Sequence, residues 1–361
     1  MHRPRLIGLV GALVLLAAGC GGEADVAAGG GTSTEETTGA HSPASTPTEL
    51  EELTAVIPFP SGAVFYPLFV AEERGYFAEE GVSIDTVAVD GSGAVLQQLL
   101  SGQAQVGLPS PGPFMQAVHE GAELRSIYTL FQSNVFSLVT TPDTDVTSLE
   151  DLEGQTVGVG TIDGGETKFI KALLSESAGL EEGDYDILAV GDGGSASVAL
   201  EREEVAGYAA SFPDVAILRL RGLELTDLVP EDFQSFFDSL IVVEDAFAEE
   251  NPQLVEGIGR ALARATVWGL DNPDGVLDIT AASFPEEAED REFTGAMLAE
   301  TQSLFELPEE ADGQWGYAVP EAVERYMGFL VEQGELDEPI DTAVFDNSHV
   351  EAYNDFDPAD L

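Results

Sequence analysis

Ile187-Leu188-Ala189-Val190-Gly191-Asp192-Gly193-Gly194-Ser195-Ala196 is a short apolar run broken by glycines, and it passes directly into the helix-length amphipathic stretch Ser195–Arg202. An apolar run of this length bounded by glycine reads as a strand, and the glycines let the backbone turn sharply into the helix. The same order recurs around Gly91-Ser92-Gly93, Ser110-Pro111-Gly112 and Thr161-Ile162-Asp163-Gly164-Gly165. Working outward, strands are predicted at Ala55–Ile57, Ser83–Val89, Val106–Leu108, Ser126–Phe131, Phe136–Thr140, Thr156–Gly160, Asp186–Val190, Val205–Ala210 and Leu240–Val243. Helices are predicted at Tyr66–Arg74, Ala94–Leu100, Pro113–His119, Glu166–Ser177 and Ser195–Arg202. After Val243 the pattern turns helical, at Ala246–Glu250, Pro252–Leu270, Asp274–Ser283, Glu292–Leu304 and Pro320–Gln333. Strand and helix alternating through short loops predict an α/β protein with mainly parallel sheets flanked by helices.

In an open α/β sheet the ligand crevice lies at the carboxyl ends of the strands, where such loops converge and helix starts expose unpaired N–H groups. The candidate ligand-binding residues are therefore Ser61, Phe65, Tyr66, Ser92, Gly93, Ser110, Thr161, Gly164, Gly165, Ser211 and Asp214. Phe65 and Tyr66 follow the loop Pro58-Phe59-Pro60-Ser61-Gly62, and either stack on a flat ligand or pack in the core beside Leu68, Phe69 and Phe77. Gly191 to Ala196 matches the dinucleotide fingerprint with Asp214 near the ribose-binding distance, but it ranks below a simple binding loop. Lys168 and Lys171 share one helix face beside the Thr161–Gly165 loop, and either hold an anion or balance Asp163, Glu166 and Glu176; we favour the structural role.

The chain of 361 residues carries 67 Asp or Glu against 13 Lys or Arg, for a formal net charge of −54. Nucleic-acid affinity comes mostly from Lys and Arg on phosphates, so this balance excludes DNA and RNA as partners. One cysteine permits no intramolecular disulfide, and His41, His119 and His349 are too few for a multi-histidine metal site. No metal and no cofactor are expected. No Gly-x-Ser-x-Gly elbow, phosphate-binding Gly-x4-Gly-Lys loop or His-Glu-x-x-His helix occurs, and with 67 acids no single carboxylate pair is informative. His119 reads as a helix C-terminal cation and His349 as a surface or capping residue.

Residues 1–19 read as an export signal: basic Arg3 and Arg5, then an apolar run from Leu6 to Ala18 that is too short to span a bilayer. Leu16-Ala17-Ala18-Gly19-Cys20 resembles a bacterial lipobox, which would place a lipid on Cys20. Residues 20–53 then form a flexible tether rich in Gly, Ala, Ser, Thr, Pro and Glu, too polar to bury a core.

Val70-Ala71-Glu72-Glu73-Arg74-Gly75-Tyr76-Phe77-Ala78-Glu79-Glu80-Gly81-Val82 resembles the "A-x-x-x-G-Y-F-x-x-x-G" opening of the solute-binding proteins of bacterial ABC importers. The group is the one that handles nitrate, sulfonates, taurine and the thiamine pyrimidine precursor. Leu99 to Gly107 is similar to its "L-x-S-G-x-x-D-x-G", with Gln105 where Asp is usual. Ser148 to Val159 is similar to its "S-L-x-D-L-x-G-K-x-V-G-V", with Gln155 for Lys, and Phe247 to Pro252 with Arg260-Ala261-Leu262 is similar to its "F-x-x-x-N-P … A-L". Within Leu200–Gly207, Glu203 and Ala206 stand where Gly and Asp are common.

The resemblance covers about residues 55–360 and implies a periplasmic-binding-protein type II fold. Lobe I would be 54–138 and 242–361, lobe II 139–241, with crossovers near Ser137–Thr141 and Asp238–Val242. It implies a monomer that closes on a small molecule without catalysis and hands it to ABC permease subunits, outside the cytoplasm and anchored to the membrane by lipid on Cys20. The alternatives are a cofactor-dependent enzyme, either a pyrimidine-precursor synthase using pyridoxal phosphate and a His or an NAD oxidoreductase, and a sensory receptor component of the same fold. An anion would suit the helix starts at Gly93, Gly112 and Gly165, whereas a neutral or cationic aromatic compound would suit Phe65, Tyr66 and Asp214. With no arginine in these loops to clamp an oxyanion bidentately, the reading leans to a planar heterocycle.

Removal of residues 1–19 takes away Arg3 and Arg5 and leaves 67 acids against 11 basic residues, spread over both halves. Such a shell suits a protein working in high salt; an acidic docking surface is the alternative. Thermal stability is expected to rise from low to molar salt as repulsion is screened, and a flat or falling melting temperature would favour the docking surface.

Overall fold

The computed structural model describes residues 50–361 apart from 163, 164, 231, 232, 234 and 235. The leader, Cys20 and most of the tether lie outside the described residues, as do Asp163 and Gly164. Among the described residues no helix is long and apolar enough to cross a membrane.

Two five-stranded sheets organise the chain. The first contains β1 (Glu51–Ile57), β2 (Val82–Ala88), β3 (Val106–Gly107), β4 (Leu124–Phe131) and β10 (Asp238–Glu244), in the order β2-β1-β3-β10-β4. The second contains β5 (Phe136–Thr140), β6 (Thr156–Val159), β7 (Asp186–Ala189), β8 (Gly207–Ser211) and β9 (Thr226–Asp227), in the order β7-β6-β8-β5-β9. Strands β2, β1 and β3 pair in parallel, as do β7, β6 and β8. Strands β10 and β5 each run antiparallel to both of their neighbours, so the α/β class holds with mixed sheets.

The parallel strands alternate with α1 (Tyr66–Glu73), α2 (Tyr76–Glu79), α3 (Gly91–Leu100) and α4 (Pro111–His119) in the first half. In the second half they alternate with α5 (Gly165–Ala178), α6 (Gly194–Glu201) and α7 (Phe212–Leu220). The chain then adds α8 (Asp245–Glu250), α9 (Pro252–Asp271), α10 (Pro273–Ser283), α11 (Arg291–Ser303), α12 (Pro320–Glu332) and α13 (Val350–Tyr353).

Both faces of each sheet are covered, which is why its strands are apolar on both sides. Leu53, Ala55 and Ile57 of β1 point into a core shared with α1 and α9, whereas Val56 points into one shared with α3, α4 and α12. In the second sheet Leu138, Val157 and Val159 pack on α5, and Val139, Tyr208 and Ala210 pack on α6 and α7. Helix α9 buries Val255, Ile258, Leu262, Ala265, Thr266 and Gly269, one stripe at helical spacing. Gly269 is required there, because a Cβ would stand 2.1 Å from Cε2 of Tyr66.

The chain leaves the first sheet after Phe131, enters the second at Phe136, and rejoins the first at Asp238. Asp238 is paired with Phe131 in the sheet register, so the two connections begin and end side by side. Residues 137–141 and 238–242, expected as the crossover strands, lie mostly within β5 and β10.

The departures from the family pattern have local explanations. After α3, Gly102 sits at φ 68° and closes a Schellman turn, with its N–H on Leu99 O at 2.8 Å and Gln103 N on Gln98 O at 3.0 Å. After α6 the same turn is closed by Glu203 at φ 55°, with Glu203 N on Leu200 O at 3.0 Å and Glu204 N on Ala199 O at 2.9 Å. Gln105 substitutes for an Asp by accepting Thr54 N at 3.0 Å, a bond that Ala206 has no side chain to make in the second half. Because a side chain in the left-handed region costs about 1 kcal/mol relative to Gly, E203G is expected to stabilise the fold by about that amount. In a thermal melt this is a rise of about 2–4 °C, and an unchanged or lowered midpoint would contradict the strain assigned to Glu203.

Candidate functional site

The carboxyl edge of the first sheet is joined loop to loop by hydrogen bonds. Gly91 N donates to Pro58 O at 2.8 Å, tying the loop after β2 to the loop after β1. Ser110 N donates to the Ser92 hydroxyl at 3.0 Å, tying the loop after β3 to the start of α3. The Ser110 hydroxyl donates to Asp238 Oδ1 at 3.1 Å, and Ser239 N donates to the same oxygen at 2.6 Å. Ser239 has φ 46°, a left-handed backbone that turns its N–H onto this carboxylate. Ser92, Ser110 and Asp238 are each partly buried, and the position of a Cβ on Gly93 faces open space. Ser92 and Ser110, two of the expected residues, thus form one polar row, and Asp238 completes it.

Burial pushes the Asp238 carboxyl up to about 6, against the hydrogen bonds from Ser239 and Ser110 that favour its charged form. Burial also raises the Tyr326 hydroxyl, with Asp238 and Glu335 adding to the shift. Tyr326 lies 5.3 Å from Phe236 and 5.5 Å from Phe237, ring to ring, at the end of the returning connection. A cavity of about 950 Å³ adjoins this cluster, lined by Thr129, Gln132 and Ser133, by Phe237, by Arg325 and by the acidic segment 306–310. None of the sequence-predicted residues lines it.

Several of those residues are engaged internally. Tyr66 is fully buried, its hydroxyl on Thr266 O at 3.1 Å and its ring edge-on to Phe305, so it belongs to the core and not to a ligand surface. Phe65 is 1% exposed under Phe59, whose ring lies 5.0 Å away and is 42% exposed. The aromatic available to a ligand on this loop is therefore Phe59. Ser61 donates to Glu287 Oε1 at 2.7 Å and is 7% exposed.

In the second half, Asp214 accepts Gly193 N at 2.8 Å, the Ser211 hydroxyl at 2.8 Å and Ser211 N at 3.2 Å. Its carboxylate caps α7 and fixes the Gly193 loop, which removes it as a ribose or ligand acceptor. Thr161 N donates to Glu166 Oε1 at 3.1 Å, and Thr161 and Gly165 are exposed. Ile162, on the same loop, is 52% exposed. Lys168 pairs with Glu335 and Lys171 with Glu182, acids other than the Asp163, Glu166 and Glu176 expected from the sequence. The Arg221 guanidinium lies 2.9 Å from where a Cβ of Gly194 would stand, an approach that the sequence does not signal.

The two halves touch at several points. Phe212 N donates to Val135 O at 3.0 Å, the Phe236 ring packs tilted against Phe329 at 5.6 Å, and the ion pairs Lys168–Glu335 and Arg219–Glu300 bridge them. Among the described residues no group of three or more His, Cys, Asp or Glu is placed to hold a metal ion. His349 bonds Glu256 at 3.1 Å and His119 ends α4, so neither stands in a junction loop.

The family described as NMT1/THI5 like matches residues 63–276. Among curated proteins the chain is 27% identical over 311 residues to the riboflavin-binding protein RibY of Chloroflexus aurantiacus, covering 84% of this chain and 87% of that one. It is 26% identical over 303 residues to a formylaminopyrimidine-binding protein of Halalkalibacterium halodurans, covering 81% and 88%. Among solved structures, the periplasmic aliphatic sulphonate binding protein SsuA of Escherichia coli superposes with a TM-score of 0.62 at 15% identity, covering 81% of this chain and 96% of that one. That likeness establishes the periplasmic-binding-protein fold.

Replacing Asp238 tests the row. A carboxyl whose pKa is about 6 folded against 3.8 in the reference state favours the fold below pH 4, and that contribution is lost as the pH rises through 6. Wild type is expected to lose stability relative to D238N between about pH 4 and 6, read as the difference of their urea midpoints. A pH-independent difference would contradict the buried-carboxyl assignment.

Proposed function

The chain belongs to the NMT1/THI5-like family, and from that premise we propose that it is an extracytoplasmic solute-binding lipoprotein of an ABC importer. It captures one planar nitrogen heterocycle between two lobes, one built on each sheet, and performs no chemistry on it. Lipid on Cys20 anchors it, the polar segment between Cys20 and β1 gives it reach along the membrane, and the lobes present the solute to permease subunits as a monomer.

The observation that carries this reading is the hydrogen-bonded row Ser92, Ser110 and Asp238 at the edge of the first sheet, beside the paired connections. Exposed Phe59 and Ile162 offer apolar surface at the carboxyl ends of β1 and β6. Asp238 supplies an acceptor for a ring N–H, or a donor when protonated. Thr161, Gly165 and Ser211 would close from the other lobe, with Ser92, Gly93 and Ser110 facing them. The two curated relatives are named for riboflavin and formylaminopyrimidine, which supports a heterocyclic solute. A synthase using pyridoxal phosphate and a His fits less well, because His119 and His349 lie outside the junction loops and both lysines are paired.

Native mass spectrometry of the chain isolated from its own cells is expected to show one non-covalent organic adduct per chain. An absorbance band of bound pyridoxal phosphate or nicotinamide without such an adduct would contradict the proposal.

A further inference from the structure

Three donors on the loop leaving β1 converge on one acceptor that comes from the far end of the chain. The Ser61 hydroxyl lies 2.7 Å from Glu287 Oε1, Gly62 N 2.7 Å from Oε2 and Ala63 N 3.3 Å from Oε1. Glu287 opens the short 3-10 turn Glu287–Glu289 between α10 and α11, and its carbonyl is held by the Thr294 hydroxyl at 2.6 Å. Phe284 seals the turn over the loop, with Cδ2 2.7 Å from where a Cβ of Gly62 would stand. Two backbone N–H groups and a hydroxyl that between them hold both oxygens of one carboxylate make a cradle for an oxyanion. In this protein the anion filling it is covalently part of the chain.

We propose that Glu287 is a specificity-determining residue, whose tethered carboxylate occupies the oxyanion cradle of the first junction loop so that an anionic group cannot be held there. The inference rests on the solute-binding reading and narrows it: the end of the solute held against lobe I is uncharged. A second anion would meet Glu287 at close range in a partly buried setting, with Asp238 on the same edge adding the same sign. Displacing Glu287 instead would only exchange one acceptor for another on Ser61, Gly62 and Ala63, with no hydrogen bond gained, and would free the α10–α11 arm. That arm also carries Glu300, the partner of Arg219 in the other half, so its seat bears on how the halves meet. Arg221 beside Gly194 leaves the opposite lobe free to meet a polar or charged end of the solute.

The test uses small anions as probes. Wild type, E287A and E287Q are melted in acetate or methanesulfonate, with ionic strength held constant by chloride. Wild type is expected to show no saturable response. E287A is expected to melt about 5 °C lower and to recover saturably with acetate, at least about tenfold more tightly than any wild-type response. E287Q keeps the shape but turns an amide toward the loop donors, and is expected to be destabilised without recovery. Saturable anion binding by wild type would overturn the proposal, as would an E287A variant that responds to acetate no more than to chloride. Should E287A not fold, the wild-type titration decides alone. No readout involves the organic solute, so its capture stands or falls separately.

Discussion

Strand β10 runs antiparallel between β3 and β4, and the first sheet is not complete until the chain has built the second sheet and come back. Leu240, Ile241, Val242 and Val243 are fully buried in that slot, where Leu240 N reaches Pro109 O at 3.0 Å. Burying four aliphatic side chains is worth on the order of 6–12 kcal/mol before entropic costs, so the return is strongly specified. The same insertion sets Asp238 against the Ser110 loop and places the two connections in register. Polar row, paired connections and helical tail are all consequences of one strand's position.

A chain of net charge −54 deploys its few cations sparingly, and the described ones are largely committed. Arg125 ties Asp245, Glu249 and Asp346 together, while Arg260 and Arg264 hold Glu80 and Glu79. The cleft edges are left to carboxylates with different tasks. Asp214 and Glu287 are saturated by loop donors and shape the backbone, whereas Asp238 meets its partners through one oxygen and holds its proton toward neutral pH.

The strand and helix pattern was legible because each core face imposes its own period, as in β1, where Ala55 and Ile57 point one way and Val56 the other. Helix α7 was missed because no glycine loop announces it, although Ser211-Phe212-Pro213-Asp214 carries a capping box that the structure confirms. Strand β9 is two residues long and leaves no periodic signal. Tyr66 was undecidable locally, since what buries it is Gly269, two hundred positions along the chain. Ser92 and Ser110 were readable from their loops. Asp238 and Glu287 were hidden among 67 acids, and only the return strand and the α10–α11 arm bring them to the edge.

If the two halves are lobes of a trap, closure must be driven by a solute that contacts both, because only differential affinity shifts a conformational equilibrium. The ion pairs Lys168–Glu335 and Arg219–Glu300 would then form on closing, and the backbone change would fall where the chain passes between the sheets, after Phe131 and before Asp238. Small-angle X-ray scattering of the protein with its retained solute removed and then restored measures this directly. The account predicts a smaller radius of gyration with solute bound, and an unchanged radius across saturation would contradict it.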